Sequence, residues 1–110
     1  MVKVFFADAG TLEQLAGNLA EIERDAVDRL QRLAGMAAGD PGEFRHRLHL
    51  SAIGLRLQAE QELAVLRWSR WAQEQVSQWV GSDDPGRWDA AGALEELVAR
   101  VGSATGARPS

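Results

Sequence analysis

The chain has 110 residues, 45% hydrophobic and 25% charged, which suits one domain with a modest core. It has no cysteine, which excludes a disulfide framework, thiol catalysis and Cys-based zinc or iron–sulfur sites. Twelve Lys and Arg against sixteen Asp and Glu give a net charge of −4, so general nucleic-acid binding is not expected.

Residues 2–6 (VKVFF) have strand composition, but no second strand pattern exists for them to join. The expectation is an extended arm that packs Val4 and Phe6 against a helix. No apolar run there reaches the length of a signal-peptide core, so a cleavable signal is not expected. No segment approaches the roughly 18 apolar residues of a membrane span.

Thr11 and Gln14 have capping-box spacing, and Glu13 suits a first helical turn. A first helix is predicted over 11–38. Leu12, Leu15, Leu19, Ile22, Ala26, Leu30, Leu33 and Ala37 recur at spacings of three and four and form one apolar stripe. Asp25–Arg29 and Asp28–Arg32 are acid-to-base pairs on its solvated face. Gly39-Asp40-Pro41-Gly42 is turn chemistry, and so short a connection folds the next helix back antiparallel.

A second helix is predicted over 43–80, with apolar residues on two sides. Leu50, Ile53, Leu57, Ala64, Trp68, Trp71 and Trp79 share one side; Leu48, Ala52, Leu55, Ala59, Leu63 and Leu66 share nearly the opposite one. One partner helix cannot cover both. The uncovered side requires a third helix, the N-terminal arm, a second subunit or another protein. Gly54 interrupts this pattern, and either a break or a close-packing site is compatible with it. Gly81 is expected to end the helix before Asp84-Pro85-Gly86. A short third helix over 89–101 has Asp89 near its cap and an apolar face of Leu94, Leu97, Val98 and Val101. Residues 102–110 read as a flexible tail and 1–101 as a single helical domain. The expected fold is all-α: a long antiparallel helical hairpin with a shorter C-terminal helix.

Glu43, His46 and His49 lie three apart, so two of them can face one metal ion, but no further donor clusters with them. No metal or cofactor is expected. Ser51, Ser69 and Ser77 have no base at a diagnostic spacing, and Glu60 and Glu62 lie on different faces. No enzyme chemistry is expected. Arg45, Arg47, Arg56, Arg67 and Arg70 give the second helix a basic surface that suits either phosphates or an acidic partner. Trp68, Trp71, Trp79 and Trp88 serve equally well as core and as interface anchors. The expected interface residues are Leu50, Leu57, Ala64, Trp68, Trp71 and Trp79.

The layout resembles the WXG100 (ESAT-6-like) family of type VII secretion proteins. The opening Val4-Phe5-Phe6-Ala7-Asp8-Ala9-Gly10-Thr11-Leu12, the two long helices and the Trp79-Val80-Gly81 motif carry the resemblance. That family places Trp-x-Gly between its two helices and carries a C-terminal Tyr-x-x-x-Asp/Glu signal. Here the motif follows the second helix and there is no tyrosine. The resemblance implies a homo- or hetero-oligomeric, non-enzymatic interaction module, a secretion substrate or its partner. Such a protein is cytoplasmic, or is exported without a cleavable signal. The alternative is a small regulatory or nucleic-acid-associated helical protein using the basic surface of the second helix.

Overall fold

The computed structural model describes residues 11–40, 42–81 and 84–106. The predicted arm at 2–6 lies outside them. The described residues form three α-helices: α1 (Leu12–Ala38), α2 (Leu48–Val76) and α3 (Ala90–Thr105). No strand occurs among them; Gly81 and Asp84 make one isolated antiparallel bridge. α1 and α2 pack along each other as the expected hairpin.

α1 starts where its capping chemistry says. The Thr11 hydroxyl accepts from the Gln14 amide at 3.0 Å, and Gln14 Oε1 accepts from the Thr11 amide at 3.1 Å. Two of the amides that a helix N-terminus leaves unpaired are satisfied reciprocally.

The second helix departs from expectation at both ends. Residues Gly42–Arg47 form a tight 3-10 turn before α2 begins at Leu48. Arg47, at the cap position, makes no side-chain cap bond. Arg45 and Arg47 put positive charge where the helix dipole is already positive. Neither a capping acceptor nor an acid supports a regular first turn there. α2 then runs unbroken through Gly54. It stops at Val76, short of the predicted end near 80, and Gly81 is not its cap. Ser77 is the cap, and its hydroxyl donates to the Glu74 carbonyl at 2.6 Å.

The two Asp-Pro-Gly sequences use one device. Asp40 Oδ1 accepts from the Gly42 amide at 3.0 Å, and Asp84 Oδ1 accepts from the Gly86 amide at 3.0 Å. Both glycines have positive φ, 56° and 62°. The aspartate fixes the turn and the glycine supplies the left-handed backbone. A Cβ on Gly86 would also lie 3.1 Å from Val80 Cγ2.

The core sits where the start of α1 meets the end of α2. Leu15, Leu19, Ala72 and Val76 are buried there, with Leu12, Ile22, Trp68 and Trp79 packed around them. Among the buried or half-buried positions of α2, 55, 59, 62, 66, 69, 73 and 76 form a row with alternating spacings of four and three. That is the seam of two helices crossing at a shallow angle. Ala26 and Ser69 are both fully buried in it, and small side chains let the helices approach closely. Toward the Gly39 turn the packing thins, and Met36, Leu48 and Leu50 are exposed.

Two helix-one pairs expected from the sequence do not form among the described residues. Arg29 reaches across to Glu62, its Nη1 3.7 Å from Oε2, and Asp25, Asp28 and Arg32 make no ion pair. A cross-helix acid on the half-buried seam is a better partner for Arg29 than a solvated neighbour one turn away. α3 extends to Thr105, beyond the predicted end at 101, so residues 102–105 are helical. The Thr105 hydroxyl donates to the Val101 carbonyl at 2.8 Å, and Gly106 closes the helix in the left-handed region.

Candidate association surface

Two kinds of surface arise from this arrangement: polar contacts that set the hairpin register, and apolar stripes left without a partner. The register contacts centre on Glu23 of α1. Its carboxylate accepts from Arg70 Nε at 3.0 Å and from Gln73 Nε2 at 2.8 Å. The Gln73 hydrogen bond, followed by that of Arg70, holds the Glu23 carboxyl below its ordinary value. Glu23 lies on the edge of the seam, where it reaches across to α2.

Of the arginines expected to make the second helix basic, three are paired with acids. Arg70 meets Glu23, Arg56 Nε donates to Glu60 at 2.8 Å, and Arg45 lies 3.9 Å from Asp40. Arg47 and Arg67 are exposed and make no ion pair among the described residues. His46 and His49 belong to no cluster of metal-ligating side chains among those residues. Two open depressions, of about 350 and 320 Å³, flank α1; their linings contain neither a hydroxyl nucleophile nor a histidine.

The structure divides the six expected interface residues. Trp68 and Trp79 pack against the buried cluster, so their rings belong to the hairpin itself. Leu50, Leu57, Ala64 and Trp71 are exposed, with Ile53 between the first two. Exposure is 53% at Leu50, 71% at Ile53, 58% at Leu57 and 48% at Trp71. This stripe lies on the side of α2 away from the α1 seam. A contiguous apolar stripe of this kind is uncommon on a solvated helix face.

α3 does not cover it. No Cα of α3 comes within 8 Å of α1 or α2, although only residues 77–89 separate α3 from the end of α2. What joins α3 to the hairpin is its root. Trp88 Nε1 donates to Gln75 Oε1 at 2.7 Å, and the Trp88 and Trp79 rings lie 5.4 Å apart at 52°. The turn between them is tied by the Asp84 carbonyl, which accepts from the Val80 and Gly81 amides at 2.9 and 3.0 Å. Beyond that root, Leu94, Leu97, Val98 and Val101 are between 53% and 71% exposed. Sequence periodicity identified the apolar face of α3 but not its isolation. Gln75 and Glu23 carried no signal, since each acts through a partner many residues away.

The sequence model of a family described as "Virulence activator alpha C-term" matches residues 1–77. No curated protein and no solved structure matches the chain. The family match overturns the expected WXG100 membership, and with it the type VII secretion role. Trp79-Val80-Gly81, which carried that resemblance, lies beyond the matched residues. Its geometry has its own explanation: Trp79 packs on the hairpin core, and Gly81 pairs with Asp84 in the turn that leaves α2.

Proposed function

Since the chain belongs to the Virulence activator alpha C-term family, we propose that it is a regulatory helical module that acts by association rather than by chemistry. The family description names the C-terminal part of an activator, which supports a regulatory role. The observation that carries the mode of action is the Leu50–Ile53–Leu57 stripe, exposed on the side of α2 away from α1. Burying such side chains contributes about 1.5–3 kcal/mol each. A surface of that kind stabilises a helical partner, and the homo-oligomer is the form proposed here. A charged neighbour such as Arg47, exposed and without an ion pair among the described residues, then sets orientation more than affinity. On this reading the protein works in the cytoplasm and holds no cofactor. No helix among the described residues is long and apolar enough to cross a membrane.

The test is solution mass by light scattering over a wide concentration range, for the native chain and for Leu57→Glu. The expected result is a dimer or larger species that shifts to monomer in the variant while helicity is retained. A native chain that stays monomeric at every concentration overturns self-association. A second reading, contact with nucleic acid, rests on exposed Arg47 and Arg67. Salt-dependent retention on DNA or RNA that Arg47→Ala and Arg67→Ala abolish would favour it.

A further inference from the structure

We infer that α3 docks on the Leu50–Leu57 stripe of a second copy of this chain, so that the two copies exchange their C-terminal helices. The inference rests on the association reading above and names the element that fills the surface.

Three observations carry it. The first is that α3 cannot stand alone. It has 16 residues, includes Gly92 and Gly102, and leaves all four large apolar side chains exposed. Isolated helices of this length are marginal in water, and interior glycines weaken them further. Its apolar face requires a cover that its own hairpin does not supply.

The second is reach. Trp88 is held at Gln75, near the last turn of α2. Along a helix, the middle of the α3 stripe lies about 14 Å from Trp88, while the middle of the Leu50–Leu57 stripe lies about 32 Å from Gln75. With its root in place, α3 folded back on its own α2 falls about 18 Å short of the stripe. It would meet the stretch between Trp71 and Glu60 instead, where the exposed apolar residues of that side are Ala64 and Trp71. A second copy has no such limit, because its α3 approaches from outside.

The third is fit. Leu50, Ile53 and Leu57 have spacings of three and four, and so do Leu94, Leu97 and Val101. Two stripes of equal length and equal spacing interdigitate over their whole extent. Charge agrees as well: α3 carries Glu95 and Glu96 against one Arg100, and beside the stripe Arg47 makes no ion pair among the described residues, whereas Arg56 is held by Glu60. Exchange is reciprocal under two-fold symmetry, so each copy both donates and receives a helix.

The absence of native cysteine makes the test direct. Two double variants of the full chain are prepared, Ile53→Cys with Leu97→Cys and Ile53→Cys with Val98→Cys. Each is weighed by light scattering while reduced, then oxidised and run without reductant. A reduced dimer that becomes a covalent dimer supports exchange. The order is confirmed by mixing Ile53→Cys with Leu97→Cys single variants and recovering the mixed disulfide. A reduced dimer that yields only cross-linked monomer, or no cross-link in either variant, overturns exchange while leaving association intact. A reduced monomer overturns both. Independently, Leu97→Glu should weaken dimerisation about ten-fold or more, the loss expected for one buried leucine. An unchanged dissociation constant would sink the proposal.

Discussion

Trp88 donates its indole N–H to Oε1 of Gln75 at 2.7 Å, across 13 residues of chain. That one bond, with the 5.4 Å approach of Trp79 and Trp88, ties the root of α3 to the end of α2. Trp88→Phe keeps a ring against Trp79 but removes the donor. The expected cost is about 1 kcal/mol in urea unfolding, together with faster amide exchange over residues 84–94. Unchanged exchange there would mean that the bond does not hold the root.

Glu23 makes stability pH-dependent with a definite sign. Its carboxyl is held below the ordinary 4.5 by Gln73 first and Arg70 next. As pH falls below 4.5 the unfolded chain takes up a proton that the folded chain still refuses. The stabilisation is therefore complete above 4.5 and is lost as pH drops through the lower folded value. Urea midpoints of the native chain and of Glu23→Gln should differ at neutral pH and converge through that acid window. A difference that persists unchanged would show that Glu23 is not the group responsible.

Ala26 and Ser69 should respond to size rather than to polarity. Both are fully buried between the Glu23–Arg70 and Arg29–Glu62 contacts. The Ser69 hydroxyl donates only to the Leu66 carbonyl of its own helix. Ser69→Ala should change stability by less than about 0.5 kcal/mol, and Ala26→Leu should cost about 1–3 kcal/mol through overpacking. Equal effects from the two would contradict a seam set by close approach.

Leu19 is 1% exposed at the centre of a small cluster. Leu19→Ala should destabilise the hairpin by about 3 kcal/mol, and thermal unfolding of the variant is the measurement. Thr11→Ala removes one half of the capping box and should cost about 1 kcal/mol, with the earliest loss of amide protection at the start of α1.

Much of this protein is written in local sequence. The capping box at Thr11, the apolar stripe of α1 and the two Asp-Pro-Gly turns follow from residues three or four apart, whose contacts form within one element. So did the two-sided character of α2. Misjudged positions share a cause. The start of α2 near Glu43 and its end near Val80 satisfy hydrophobic pattern, but an uncapped basic first turn and the Ser77 bond decide the boundaries. Trp-x-Gly at 79–81 has the form of a family mark, yet its residues serve the core and a turn.

The sequence by itself determined that this is an all-α hairpin with more apolar surface than one partner helix can cover. Periodicity and turn chemistry are local properties, and they survive without any tertiary information. Only the tertiary structure decided which apolar residues are core and which are surface. Trp68 and Trp71 are three apart on one helix, yet one packs on the core and the other is exposed. The choice depends on where α1 crosses, which is set by the Glu23 contacts and the small residues of the seam. The isolation of α3 was equally beyond the sequence, because it depends on how Gln75 holds Trp88, a contact between residues 13 apart.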